Sequence, residues 1–393
     1  MNARDRNAEG VMIEQRDVAY MAQAIQLAER GRYTTQPNPR VGCIIVAGEE
    51  IVGRGWHMAA GQPHAEVYAL REAGARAKGA TAYITLEPCS HHGRTAPCTD
   101  SLIKAGVQRV VAAMRDPNPL VSGQGFAQLR EAKVDVSIGI AAPAAMALNA
   151  GYIRRMESGR PKVTVKIASS LDGRTAMADG ESRWITGESA RADVQRLRAA
   201  SGAVMTGVGT VISDDPSLNV RLGEPLVGPL GEPVPWHQPL RVVLDSRLRI
   251  SPRARMLTLP GSTLIYTASA EPGRAGALEE AGASVRVTEP GSMVNVHSVL
   301  ADLAAREVND VLVESGPHLA GSLIEAHLVD EIVMYFAPHL MGDNGLGAFH
   351  LPSVGKMSDR VPLVIEDIRA VGRDWRVRAR PDYGEAAVPQ QTG

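Results

Sequence analysis

At 393 residues the chain is long enough for two ordinary domains, each able to bury a core of its own. With 42 basic and 43 acidic residues its formal charge is −1, so composition supplies no bulk pull toward nucleic acid or anionic lipid. Apolar runs such as VGCIIVAG fall far short of the roughly 20 residues of a spanning helix, and the N-terminus MNARDRNAEGVMIEQRD has no apolar signal core, so a soluble, cytoplasmic protein without a membrane partner is expected.

Residues 1–15 read as an extension. The stretch DVAYMAQAIQLAER predicts a helix ending at Gly31, followed by strands at VGCIIVA and IVGRGW, a helix over about 64–78 and the strand TAYITL. A short helix near 99–105, the strand VQRVVAAM, a helix near 124–131 and VDVSIG come next. This succession of βα units predicts a three-layer α/β/α domain with a largely parallel sheet over 16–156, closed by a helix within AAPAAMALNAGYIRRMESGRP.

A Gly/Pro break near 156–161 separates it from a second α/β domain over 162–383. That domain opens on the strand KVTVKIASS. It continues through a helix near 188–199, the strands GAVMTG, LRVVLD and STLIYT, a helix near 296–306, and the strands DVLVE and VDEIVMYFAP. The Gly/Pro cluster at 223–235 reads as a flap or insertion, and residues 384–393 as a disordered tail.

Three cysteines are too few and too scattered for a disulfide framework. Cys43 lies inside VGCIIV and reads as a small buried hydrophobe. Cys89 and Cys98 flank two histidines in TLEPCSHHGRTAPCTD, while upstream GQPHAEV places His64 and Glu66 where Pro63 opens a helix. Mid-helix, side chains two apart diverge by roughly 200°, so that pair can share a site only at a helix start.

His64, Cys89 and Cys98 form a three-ligand set suited to one Zn²⁺ per chain, with a fourth position left for water. Glu66 beside it can act as general acid and base. His91 or His92 as a fourth ligand would instead close the site and leave Glu66 idle. The interval between the cysteines is longer than the C-x-x-C of most zinc deaminases.

Together, NPRVGCIIV, HAE and EPCSHHGRTAPC closely resemble the deaminase half of the bifunctional riboflavin-biosynthesis deaminase-reductase family, which carries this longer zinc loop. The glycine turns MTGVGTV and ESGPHLAGS, with VKIASSLDGRTA and GESRWITG, resemble its reductase half; neither turn is a G-x-G-x-x-G, since Ile212 stands where the third glycine would fall. The resemblance covers about residues 16–380.

It implies a cytidine-deaminase-like domain followed by a dihydrofolate-reductase-like domain. Zn²⁺ and NADPH are the implied cofactors, and the implied partner is a phosphorylated pyrimidine, 2,5-diamino-6-ribosylamino-4(3H)-pyrimidinone 5′-phosphate. This would be deaminated and then reduced to 5-amino-6-(5-phospho-D-ribitylamino)uracil. The family's zinc ligands carry over to His64, Cys89 and Cys98, and its proton shuttle to Glu66.

Asn38 would lie in the pyrimidine pocket, with His57, His91 and Arg94 near the ribose phosphate. Ser169, Trp184, Thr210, Asp214 and Ser246 would contact the dinucleotide. So would the turn formed by Gly316, Pro317, His318, Leu319, Ala320, Gly321 and Ser322. The substrate would meet Ser182, Arg198, Leu218, Arg221 and Glu314. Lys166 shares a strand face with Ala168 and Ser170 and could point toward the reacting carbon, whereas Asp172 reads as a turn residue before Gly173.

A homo-oligomer, dimer or tetramer, is expected. A nucleic-acid deaminase is the rival enzyme reading, disfavoured by the near-zero charge and 4% aromatics. The rival from another class is a binding protein with a structural zinc, which would have no use for Glu66.

Overall fold

The computed structural model describes residues 15–90, 97–119, 121–221, 237–269, 271–289 and 291–384. The expected extension up to residue 14, the loop at 223–235 and the tail from 385 lie outside the described residues. What is described forms two compact units that divide between Gly159 and Arg160.

In the first unit, α1 (Gln15–Glu29) buries Met21, Ala24, Leu27 and Ala28, the three- and four-residue spacing of one helix face. β1 (Gly42–Ala47) and β2 (Glu50–Trp56) form a hairpin turning at Gly48, whose φ of 62° suits glycine. There follow α2 (Ala65–Ala73), β3 (Thr81–Ile84), α3 (Cys98–Lys104), β4 (Arg109–Ala112), α4 (Gln124–Glu131) and β5 (Asp135–Ile138).

The strand order is β2-β1-β3-β4-β5. β1 pairs antiparallel with both β2 and β3, while β3, β4 and β5 pair parallel, so β2 shares their direction and four of the five strands run one way, as the βα succession predicted of a largely parallel sheet. The hairpin accounts for the one reversed strand, β1: a turn of two residues can only reverse the chain. Alternation along β1 sends Cys43 and Ile45 to a core with α2, α3 and α4, and Ile44 and Val46 to a core with α1, which makes three layers.

One closing helix was expected at the end of this unit; instead α5 (Ala142–Leu148) and α6 (Ala150–Ser158) break at Asn149. The Asn149 side chain accepts from the Arg40 backbone N–H at 2.8 Å and donates to the Arg40 carbonyl at 2.9 Å. That pair of bonds outweighs helix continuity at a residue with modest helix preference.

The second unit comprises β6 (Lys162–Ser170), β7 (Arg174–Ala176), α7 (Glu188–Ala200), β8 (Ala203–Gly207), α8 (Val208–Asp214) and β9 (Leu240–Leu244). Next come β10 (Thr263–Thr267), α9 (Pro272–Glu280), β11 (Ala283–Val287), α10 (Val296–Ala305) and β12 (Asp310–Glu314). α11 (Pro317–Glu325), β13 (Glu331–Ala337), β14 (Leu346–Gly347), β15 (Leu363–Val371) and β16 (Asp374–Pro381) complete it.

Nine strands form one sheet in the order β11-β10-β9-β8-β12-β6-β13-β16-β15. From β11 to β13 all pairs are parallel; β16 and β15 are antiparallel additions. The central strands β8, β9, β10 and β12 are largely buried apolar runs, as strands covered on both faces must be, whereas β6 alternates and the edge strand β11 is mostly exposed. The C-terminal ends of the parallel strands line up along one edge of the sheet, where β8 and β12 run into α8 and α11.

Gly55 in β2 faces α2 so closely that a Cβ would collide with the Ala65 carbonyl oxygen. Gly55→Ala is expected to destabilise this unit by about 1–3 kcal/mol, seen as a lower urea midpoint of its unfolding transition. An unchanged midpoint would mean that α2 can retreat freely.

Candidate active sites

His64 caps the start of α2 in extended conformation (φ −74°, ψ 164°), so its ring projects back along the incoming chain while Glu66 turns inward one step later. Cys98 is the first residue of α3, and Cys89 lies at the end of the segment leaving β3. His64 Nδ1 stands 3.3 Å from Cys98 Sγ and 3.5 Å from Cys89 Sγ. The three donor atoms all lie within 4.8 Å of one another.

One nitrogen and two sulfurs at these separations match the edges of a tetrahedron around Zn²⁺, about 3.5 Å for bond lengths of roughly 2.0–2.3 Å. The Cys98 thiol, His64 and the Cys98 backbone N–H hold Cys89 well below the usual thiol range, at about 4, against the opposing effect of burial. Cys98 is pushed up in turn, first by its bond to Cys89. His64 is raised, chiefly by the hydrogen bond to Cys89.

Glu66 is 3% exposed, and its Oε2 is buried with no hydrogen-bond partner. Burial lifts its carboxyl above the usual range, opposed by His64. A buried, unpartnered carboxylate oxygen costs stability, and its place beside three convergent metal donors suits a general acid and base.

Two neighbours fix this geometry. His57, buried, donates from Nδ1 to the Pro63 carbonyl at 3.1 Å and accepts at Nε2 from Asn38 Nδ2 at 3.0 Å. Its ring meets that of His64 edge-on at 5.6 Å, and burial lowers its pKa, so the neutral imidazole is favoured. Asn38 and His57 are thus brought together beside the metal donors, whereas His91 and Arg94 lie outside the described residues.

The second neighbour, Glu87, was missed by motif reading. Its buried carboxylate accepts backbone N–H groups from Gly123 and Gly125 at 2.9 Å, Asp116 at 3.2 Å and Phe126 at 3.4 Å. This ties the Pro88–Cys89 segment to the start of α4. The one signal available in the sequence was an acid closing an apolar strand just before Pro-Cys.

In the second unit Ser169, Thr210, Ser246 and Gly316 stand at or just after the C-terminal ends of β6, β8, β9 and β12, whereas Trp184 lines a cleft with Thr186, Arg191 and Arg373. Ser169, at the end of β6, is fully buried with its Oγ unpartnered. Gly316 caps α11 with Pro317 at its first turn, and the Gly316 N–H donates to Thr210 Oγ1 at 3.3 Å, joining the turns after β12 and β8. The first-turn N–H groups of His318 and Leu319 lack intrahelical acceptors, as at any helix start.

Ala320 and Gly321 are buried beneath this turn, and Gly321 is required there because a Cβ would strike the His350 carbonyl oxygen. Ser322 Oγ donates to the His318 carbonyl at 2.9 Å. Ser246 accepts the Val294 N–H at 3.0 Å, and the Asp214 carbonyl accepts from Arg183. Trp184 is 68% exposed beside a cleft of about 420 Å³, with the Arg191 guanidinium 4.8 Å from its ring.

Arg198 makes a forked ion pair with Glu314, at 2.5 and 3.0 Å, and donates to the Asn219 carbonyl at 2.9 Å. Burial would raise Glu314, but the Arg198 charge holds it below the usual range. Lys166 pairs across the strands with Glu314; burial lowers its pKa, partly offset by that carboxylate. Arg221 lies nearer solvent and donates to Ser217 and, at 2.6 Å, to Asn219 Oδ1. Leu218 is buried with a left-handed φ of 47°, and Ser182 is half-buried.

Asp172 is a turn anchor: it accepts Ser170 Oγ at 2.5 Å and the N–H groups of Met341 and Gly342 at 3.1 and 2.8 Å. The Ser170 bond, helped by those N–H groups, holds its carboxyl at about 2.

Comparison with known proteins accords with both sites. Residues 161–377 match the model of the RibD C-terminal domain, and residues 14–114 match the cytidine and deoxycytidylate deaminase zinc-binding region. Riboflavin biosynthesis protein RibD of Escherichia coli K12 is 48% identical over 360 residues, covering 91% of this chain and 97% of its own. The Haemophilus influenzae protein of that name is 44% identical, covering 93% and 97%.

Among solved structures, Acinetobacter baumannii RibD superposes with a TM-score of 0.85 at 43% identity, over 93% of this chain and 99% of that one. A diaminohydroxyphosphoribosylaminopyrimidine deaminase/5-amino-6-(5-phosphoribosylamino)uracil reductase from Thermotoga maritima gives 0.81 at 31% identity, with the same coverage. The chain belongs to the RibD family and is a bifunctional enzyme of riboflavin biosynthesis, a zinc-dependent deaminase joined to an NADPH-dependent reductase.

Proposed function

We propose that His64 Nδ1, Cys89 Sγ and Cys98 Sγ hold one Zn²⁺ in the deaminase, residues 16–156, and that Glu66 is its proton carrier. The observation that carries this reading is the unpartnered Glu66 Oε2 buried beside three convergent N and S donors. When bound, zinc supplies Lewis acidity that makes water a nucleophile at neutral pH.

Glu66 takes a proton from the attacking water and passes it to the ring nitrogen beside the amino-bearing C2 of the pyrimidinone. A second transfer through the same oxygen protonates the amine, which leaves as ammonia while C2 keeps the water oxygen as a carbonyl. Asn38, held by neutral His57, orients the pyrimidine; His91 and Arg94 are assigned to the ribose phosphate. A small-molecule phosphate ester in the cytoplasm, with neither nucleic acid nor membrane as partner, is the intended ligand.

In the reductase, residues 162–383, the dinucleotide lies across the C-terminal strand ends. Ser169 and Trp184 sit at its nicotinamide end, Thr210, Asp214 and the Gly316–Ser322 turn at its phosphates, and Ser246 at its adenosine. When bound, NADPH supplies the hydrogen and electron pair that reduce sugar C1′ in the opened, imine form. Lys166 holds the proton that the imine nitrogen takes up. Glu314, fixed by Arg198, orients the substrate with Ser182 and Leu218, and Arg221 offers its outer donors to the phosphate.

We further propose a homo-oligomer, dimer or tetramer, formed through β15. This edge strand leaves Leu363, Ile365 and Ile368 exposed at 45%, 57% and 55%, and Trp375 beside it at 52%. A long apolar edge invites pairing with a second copy.

Three outcomes follow. Glu66→Gln should retain about one zinc per chain by metal analysis yet release ammonia at least ~10²-fold more slowly; an ordinary rate would remove Glu66 from the chemistry. Lys166→Met should slow NADPH oxidation on deaminated substrate by a similar ~10²-fold with ammonia release unchanged, and an unaffected rate would leave Lys166 as a mere counter-charge to Glu314. Replacing Ile365 and Ile368 by Lys should shift the sedimentation coefficient to that of a monomer; an unshifted oligomer would exclude this edge.

A further inference from the structure

A phosphate is bound tightly by donors already in position, because ordering a loose arginine and its loop during binding costs affinity. Arg221, assigned above to the substrate phosphate, stands at the end of residues 215–221, which follow α8 and form neither helix nor strand. Such a segment has no ladder of its own to satisfy its backbone. Here the backbone is held by three side chains, those of Arg198, Gln238 and Gln195.

The Asn219 carbonyl accepts from Arg198 Nη1 at 2.9 Å. The Val220 N–H donates to Gln238 Oε1 at 2.8 Å, and the Val220 carbonyl accepts from Gln238 Nε2 at 3.0 Å. The Arg221 N–H donates to Gln195 Oε1 at 2.8 Å. In an extended chain one residue turns its N–H and C=O to the same side, and the groups flanking them turn to the other. The bonds follow that pattern. The Gln238 carboxamide takes the place of a neighbouring strand for Val220, while Gln195 and Arg198, three apart on one face of α7, grip the opposite side.

Val220 is 2% exposed, so without Gln238 its N–H and C=O would be left buried and unsatisfied. Next to this clamp the Arg221 guanidinium is aimed by its own neighbours: Nη1 donates to Ser217 Oγ and, at 2.6 Å, to Asn219 Oδ1. Burial, then the charges of Arg198 and Arg255, lower the Arg221 pKa against the pull of Glu314. Cations therefore crowd this corner, a setting that favours a bound anion.

We infer, resting on the assignment of Arg221 to the substrate phosphate, that Gln195 and Gln238 are positioning residues of the reductase: together they clamp the backbone at Val220 and Arg221 so that the guanidinium meets the phosphate in one fixed place. Both act through Arg221, and neither is assigned to the cofactor or the reacting carbon. Their loss weakens substrate binding and spares the chemical step.

The test follows NADPH oxidation by the full-length protein on the deaminated substrate and on the same compound without its phosphate. Gln195→Met and Gln238→Met should each raise KM for the phosphorylated substrate by about 5- to 20-fold, with kcat and the KM for NADPH unchanged and the dephosphorylated substrate unaffected. In an Arg221→Met background, where the side chain to be positioned is gone, Gln195→Met should add less than about twofold. Should Gln238→Met fail to fold, Gln195→Met, which removes one bond at the exposed end of the clamp, decides the matter alone. Unchanged KM values, an equal rise for both substrates, or a full further rise in the Arg221→Met background would overturn the role of the glutamines. An Arg221→Met protein that treats the two substrates as the native protein does would instead overturn the phosphate assignment, and this inference with it.

Discussion

Four backbone N–H groups, from Asp116, Gly123, Gly125 and Phe126, end on the carboxylate of Glu87 inside the N-terminal unit. A charge buried there without them would be costly; with them it becomes a rigid staple between the end of β3 and the start of α4. Cys89 follows two residues later and has little freedom left. Its carbonyl then accepts from the Thr99 N–H at 3.2 Å, which fixes α3 and hence Cys98. The third donor, His64, comes from a helix that approaches because β2 carries glycine where the two meet. Donors from three elements therefore converge through backbone constraints.

The reductase is organised by direction instead. Parallel strands present all their C-terminal ends on one side, so loops distant in sequence become neighbours. The turns after β8 and β12 are joined by the Gly316 to Thr210 bond, although 106 residues separate them. Within that edge the Arg198–Glu314 pair is forked and largely buried, so losing either partner would strand a charge. It gives Lys166 and Arg221 a fixed electrostatic surrounding.

The chemistry-bearing residues were readable because their types are rare: a cysteine pair, a histidine and an acid at a helix start, and glycine turns at strand ends. Much of the element order was readable too, since β6 and α4 follow plain periodicities. What escaped reading depended on partners far along the chain. Nothing near Asn149 announces a bond to Arg40, and nothing near Glu87 announces the N–H groups of residues 116–126. The hairpin of β15 and β16 went unread because its exposed apolar residues do not alternate as a half-buried strand should.

Asn149 carries one more consequence. Through it, the end of α5 grips Arg40, two residues beyond Asn38 in the loop that would meet the pyrimidine. The last helices of the unit thus brace the loop that carries Asn38 and Arg40, and Tyr152 in α6 adds a bond to Asp116 at 3.2 Å, on the loop that Glu87 staples. The deaminase cannot be cut free at the last sheet strand, β5: a portable version of it has to run through α6, because these closing helices hold the loops at Arg40 and Asp116 in place.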